Sequence, residues 1–184
     1  DALGIQNKTV SKWECGLGCP DLSLWPELSA ILGVDMRQMM EGEITSNKPD
    51  SGNIDKVRFY VCPSCGNILV STASASIFCC GRKLEHILPT DAIIAPKITV
   101  EEMDMDYFVT FDHPMTKEHY LSFVAYVKSD RIFLNRLYPE QNPSCRFPIT
   151  TGGKLYVYCI KHGLVTCQKI NEELSKSNDE ELGS

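Results

Sequence analysis

Apolar positions recur at two different periods along this chain. Near the start the period is helical: Leu24, Trp25, Leu28, Ile31 and Leu32 return every three or four residues. Punctuation agrees with that period. Lys8 to Glu14 reads as a helix stopped by Gly16 and Gly18, and Leu3-Gly4-Ile5 as the end of a preceding short element. Asp21 can cap the second helical stretch, and Pro26 sits early enough in it to be tolerated. Gly33 ends that stretch. Asp35 then caps Met36 to Glu41, with Gln38 in the reciprocal capping position.

Residues 44–56 carry no periodicity and are rich in Ser, Asn, Asp and Gly, the composition of a flexible linker. From Val57 onward the pattern shortens to strands. Tyr120 to Val127 is a long, mostly apolar strand buried on at least one face, and Arg131 to Leu137, Arg146 to Ile149 and Lys154 to Cys159 follow at short intervals. Thr151-Gly152-Gly153-Lys154 reads as a tight turn. Short strands at this spacing predict a β-sandwich. Residues 171–184 are polar and acidic and read as a disordered tail.

With 184 residues there is room for one domain or two small ones. No apolar run approaches membrane-spanning length, and no charged start precedes an apolar stretch, so neither membrane insertion nor export is expected. The net charge of −6 does not advertise nucleic-acid binding, although a single basic helix suffices for that. Nine cysteines raise the question of disulfides. The C-x-x-C of Cys62 and Cys65 and the vicinal pair Cys79-Cys80 point to metal instead, in a reducing cytosol. Cys15, Cys19, Cys145 and Cys167 match no ligand spacing and read as ordinary thiols.

Two constellations carry the chemistry. Cys62, Cys65, Cys79 and Cys80 can enclose one tetrahedral iron or zinc, because four thiolates from two turns suit either metal. His113, His119, Cys159 and His162 combine imidazoles with one thiolate, a set that favours iron or zinc. His86, Tyr120 and the acidic run Glu101, Glu102, Asp104 and Asp106 read as packing or solvated surface.

In order along Phe59 to Ile170 stand F-Y-V-C-P-S-C-G-N-I, F-C-C-G, H-P-M-T-K-E-H-Y and Y-C-I-K-H-G-L. Together these resemble desulfoferrodoxin, the two-centre form of superoxide reductase. The resemblance implies a desulforedoxin-like segment over 57–85 and a superoxide reductase-like, immunoglobulin-like sandwich over 86–170. It also implies non-haem iron at the second centre, held by equatorial His113, His119 and His162 and axial Cys159. There superoxide takes one electron, ultimately from an electron donor, and two protons give hydrogen peroxide. A lysine that offers charge to the incoming anion corresponds to Lys97, shifted from the family's position. One departure is plain: the family's fourth equatorial histidine falls at Ala95-Pro96-Lys97-Ile98, with Pro96 or Lys97 nearest, and no histidine is there. An extra position on the metal is then expected to be open to water or a carboxylate.

Residues 3–43, through L-G-I-Q-N-K-T-V-S-K-W-E and P-D-L-S-L-W-P-E-L-S-A-I-L-G-V, resemble the later helices of the Cro and phage-repressor type of helix-turn-helix. In that family the T-V-S-K-W-E helix enters the major groove of double-stranded DNA. Asn7 can pair with base edges, Lys8, Ser11 and Lys12 share its exposed reach, and the lysines can meet phosphates or guanine. The family fold begins with further helical residues, so 1–43 is expected to be an incomplete domain. The expected architecture is therefore two-domain, α then β. The expected function is a cytoplasmic, homodimeric, DNA-binding regulator with an iron-containing sensor. The competing expectation is an iron-dependent superoxide reductase with a DNA-binding appendage, and a third is a zinc protein with structural sites.

Overall fold

The computed structural model describes residues 3–42, 46–49, 54, 56–90, 95–150 and 152–167. The expected tail at 171–184 and most of the expected linker at 44–56 lie outside them, as do Asp1, Ala2 and Thr151. The chain divides into two compact units, Asp1–Lys48 and Pro49–Ser184.

The first unit is helical: α1 (Asn7–Glu14), a 3-10 turn (Leu22–Leu24), α2 (Trp25–Leu32) and α3 (Met36–Glu41). Gly16, at φ 71°, follows α1, and Gly33 ends α2 at φ 65° in the left-handed conformation that glycine adopts without strain. Asp21 caps the 3-10 turn rather than an α-helix, accepting from the Ser23 N–H at 2.9 Å. The reason lies in Pro26. It has no N–H to return to the Leu22 carbonyl, and the Trp25 N–H takes that carbonyl in its place. Asp35 accepts from the Arg37 and Gln38 N–H groups at 2.9 and 3.2 Å, as its capping role requires. None of the described side chains in 3–42 is buried. Leu3, Ile5, Val10, Trp13, Leu28 and Ile31 are among the walls of an apolar hollow of about 670 Å³.

The second unit is built of strands. A four-stranded antiparallel sheet has the order β11 (Gly163–Cys167), β10 (Lys154–Cys159), β7 (Leu121–Val127), β8 (Ile132–Arg136). A three-stranded sheet has the order β5 (Lys97–Met103), β6 (Asp106–Asp112), β9 (Ser144–Pro148). Val109, Phe111 and Phe147 from the smaller sheet meet Val124, Tyr126, Leu155 and Val157 from the larger in one core. Cys145 and Cys167 are buried in that core, where burial pushes the Cys145 thiol up to about 12.

The other face of the larger sheet is covered as well. Two short hairpins, β1 (Arg58–Val61) with β2 (Ile68–Ser71) and β3 (Ile77–Cys79) with β4 (Arg82–Leu84), precede the sheets. Phe59 of β1 sets its ring 5.3 Å from Phe123 and 5.4 Å from Tyr156. It is 1% exposed, and burying such a ring contributes roughly 2–3 kcal/mol. Ile54, inside the expected linker, also packs here, and its N–H donates to the Ser129 carbonyl at 2.9 Å. With apolar layers on both sides, every residue of β7 is buried, which accounts for its unbroken apolar run.

One irregularity aims the chemistry. Along β10 and β7 the register runs Tyr158↔Phe123 and then Cys159↔Leu121, leaving Ser122 as the extra residue of a bulge. Tyr158 packs on the outer layer while Cys159 faces the inter-sheet core.

Candidate metal centres

The first centre sits in two turns. Cys62 and Cys65 occupy the β1–β2 turn, where the Gly66 N–H donates to the Cys62 carbonyl at 2.8 Å and the Cys62 N–H to the Asn67 carbonyl at 2.9 Å. Cys79 and Cys80 occupy the β3–β4 turn. Cys80 at φ 51° and Gly81 at φ 73° form a two-residue loop of the type that needs positive φ at both central positions. This lets adjacent cysteines aim at one point. The four sulfurs lie within 4.8 Å of one another, with Cys65 Sγ and Cys79 Sγ 3.6 Å apart. Asn67 Nδ2 donates to Cys79 Sγ at 3.8 Å. The Cys62 thiol is held down to about 6, first by the backbone N–H of Cys65 and then by that of Ser64. Side-chain hydrogen bonds with Cys65, Cys62 and Cys79 push the Cys80 thiol up to about 12, with burial and the charge of Cys62 adding to the effect.

The second centre lies at one end of the inter-sheet core. His113 follows β6 directly, and Met115 packs against the core and anchors the loop beyond it. Thr116 and His119 exchange backbone hydrogen bonds at 3.0 and 3.2 Å in a tight turn before β7. Cys159 ends β10 and pairs with Gly163, so His162 sits in the turn that joins β10 to β11. Cys159 is 2% exposed, and its sulfur accepts from the Lys161 backbone N–H at 3.4 Å. The donor atoms of His113, His119, Cys159 and His162 all lie within 4.8 Å of one another.

Protonation suits these rings to a metal. His113 Nδ1 stands 2.6 Å from the Pro114 carbonyl, so Nδ1 carries the proton and Nε2 keeps its lone pair. That Nε2 is buried and has no hydrogen-bond partner, a costly state unless a cation accepts the lone pair. Burial also holds His113 below the usual imidazole range, with His119 and His162 adding to the effect. His119 is likewise lowered, by burial, then by His162 and Lys161. Nε2 of His119 and Nδ1 of His162 face each other at 3.4 Å.

The rings themselves test the coordination. Centroids of His113 and His119 are 4.6 Å apart, His119 and His162 4.6 Å, and His113 and His162 6.0 Å. A nitrogen about 2.1 Å from a metal puts its ring centroid about 3.2 Å away; adjacent corners of a square then give about 4.5 Å, opposite corners about 6.4 Å, and tetrahedral corners about 5.2 Å throughout. The two short distances and one long one match three corners of a square, with His119 in the middle. The residues present therefore fit a square-based metal better than a tetrahedral one.

The other expected site residues fall as follows. Lys97 opens β5, exposed, with Asp112 as its cross-strand partner immediately before His113. His86 is exposed, its ring 6.5 Å from that of Tyr60, and it belongs to neither group of gathered donors. Asn7, Lys8, Ser11 and Lys12 are all exposed on α1. Sequence reasoning missed Asn67, the Lys161 N–H and the Ser122 bulge. The first two act through a hydrogen bond to sulfur, and the third through register, which no motif records.

No protein-family model matches the chain. Over 70 residues it is 36% identical to a desulfoferrodoxin from Clostridium acetobutylicum, a match spanning 38% of this chain and 56% of that protein. Over 119 residues it is 25% identical to a desulfoferrodoxin from Desulfarculus baarsii, spanning 59% of this chain and 94% of that protein. In three dimensions it is similar to the superoxide reductase from Treponema pallidum, with a TM-score of 0.52 and 21% identity over 61% of this chain and 98% of that one. The chain thus carries a β-rich domain with the superoxide reductase fold, similar to desulfoferrodoxin, preceded by a few helices, and this domain contains two groups of side chains able to hold a metal.

Proposed function

We propose that the β-rich unit is an iron-dependent superoxide reductase centre, with a second iron or zinc among Cys62, Cys65, Cys79 and Cys80. The observation that carries this reading is the gathering of three histidines and one buried cysteine around the partnerless Nε2 of His113. The similarity to two desulfoferrodoxins and to the superoxide reductase fold supports it. Iron at this centre would supply the single electron that converts superoxide, with two protons, to hydrogen peroxide.

The chain's own residues set the conditions. His113 and His119, from the β6–β7 connection, and His162, from the β10–β11 turn, offer ring nitrogens from two loops tied to two sheets. Cys159 offers a sulfur that the core shields and that accepts a hydrogen bond from the Lys161 N–H. Lys161, exposed in the same turn, adds positive charge beside His119, which favours an anionic substrate. Lys97, with Asp112 as its cross-strand partner, is the counterpart offered by the family resemblance. Anaerobic loading with iron(II), followed by metal analysis, tests the assignment. Two metals per chain are expected, one of them lost in Cys159→Ser; equal metal in both proteins sinks the ligand set.

A second reading keeps the helices as a DNA-binding device, and the unit as its redox-responsive sensor. The exposed row Asn7, Lys8, Ser11 and Lys12 on α1 favours it. A homodimer would present two such helices to paired half-sites. In this reading the metal centres report superoxide or iron supply, and turnover is not required.

A further inference from the structure

The three imidazoles at the second centre stand at three corners of a square. His119 lies between the other two, and the corner across from it has no ring. The chain contains four histidines, and the fourth, His86, lies beside Tyr60 and is not among the donors gathered here. Cys159 belongs to the inter-sheet core and is 2% exposed, while the three rings are partly exposed. A square-based metal held by this set has two neighbouring positions that none of these four side chains takes: the corner opposite His119, and the position facing away from the sulfur.

We propose that these two adjacent positions form a two-point binding site for a bidentate oxygen-donor anion, such as a hydroxamate, a 2-oxo acid or a catecholate. This rests on the reading of His113, His119, His162 and Cys159 as metal ligands. Neighbouring positions about 2.1 Å from a metal stand about 3 Å apart, the bite of a five-membered oxygen chelate. Charge favours an anion, because three neutral imidazoles and one thiolate leave a divalent or trivalent metal with a net positive charge. Lys161 adds to it from the turn between Cys159 and His162. Once the first oxygen is bound, the second is held beside its own position at high effective concentration, so a chelate gains over a single donor by about a hundredfold. Binding displaces solvent and involves no change of oxidation state. A small diatomic substrate needs only one of the two positions, so a chelating anion acts as a competitive inhibitor or as a signal that reports on the centre.

The test uses the whole chain, loaded with iron and oxidised, and compares acetohydroxamate with acetate by absorbance titration. Iron content is measured first, and azide reports an accessible centre. Acetohydroxamate should bind at least tenfold more tightly than acetate, at one per chain, with a new charge-transfer band and with the iron retained through gel filtration. Cys80→Ser, which disrupts the four-cysteine centre, should give the same titration. Affinities within tenfold of each other, or loss of the iron to the hydroxamate, overturn the proposal: a residue of the chain then fills the corner, or the site does not hold a chelate. Those outcomes leave the metal-ligand reading standing if azide still shifts the spectrum. Absence of iron from the centre overturns both.

Discussion

The guanidinium of Arg136, on β8, donates to the carbonyl of Gly66 at 3.2 Å. Gly66 immediately follows Cys65, so this bond fastens the first cysteine turn to the edge of the larger sheet. The bond is exposed to solvent and contributes about 0.5–1 kcal/mol at most. We expect Arg136→Ala to leave the melting temperature nearly unchanged. It should speed metal transfer from the four-cysteine centre to an added chelator a few fold. An unchanged transfer rate would show that the turn holds its geometry without Arg136.

Thiol chemistry at that centre gives a second expectation. Cys62 is held down to about 6, but Cys80 is pushed up to about 12 by the neighbouring cysteines. A metal must therefore displace protons, and its affinity should rise as pH rises above neutrality. Calorimetry at pH 7.5 in buffers of different ionisation enthalpy should record more than one proton released per metal. Cys80→Ser should abolish that release together with one metal equivalent. Full metal content in Cys80→Ser would remove this residue from the ligand set.

Gly153 controls the far end of the core. Its φ is 115°, and a Cβ there would lie 2.7 Å from the Tyr126 ring. Tyr126 is 1% exposed, its ring stands 5.6 Å from that of Phe147, and its hydroxyl donates to the Gly152 carbonyl. Gly153→Ala combines strain with overpacking, at about 2–3 kcal/mol. For a chain of this size that lowers the melting temperature by about 5–10 °C. Metal content should be unaffected, because the turn lies far along β10 from Cys159.

How much of the fold and the centres is legible in the sequence follows from how local each signal is. Cys62 with Cys65, Cys79 with Cys80, His113 with His119 and Cys159 with His162 are each a short-range pair, fixed by one turn. Their residue types and spacing are therefore readable along the linear chain. The apolar run around β7 is also plain, although its burial on both faces depends on Phe59 arriving from a separate hairpin. The bulge at Ser122 is not readable, because a register shift appears only when two strands are paired. Neither is the Arg136–Gly66 bond, which joins residues 70 positions apart. The square arrangement of the imidazoles needs the β6–β7 and β10–β11 loops at once, and only the folded chain supplies their separations.

The helical unit makes its own claim testable. If α1 enters the major groove, Lys12→Ala should weaken binding across DNA sequences and reduce the salt slope by about one, whereas Asn7→Ala should relax preference at one base position at a cost of about 1–3 kcal/mol. Titrations at several salt concentrations, with the longest available gene product, distinguish the two. Equal and salt-independent behaviour of both variants and the parent would assign these helices to protein docking.

The central claim is that His113, His119, His162 and Cys159 hold an iron that reduces superoxide. The most direct measurement mixes the anaerobically iron(II)-loaded chain with a pulse of superoxide and follows both absorbances. The account predicts that superoxide disappears in proportion to iron at this centre and that hydrogen peroxide forms in equal amount. A thiolate-to-iron(III) charge-transfer band should rise at the same time and be missing in Cys159→Ser. Superoxide decay no faster than in buffer, with iron fully bound at this centre, would contradict it.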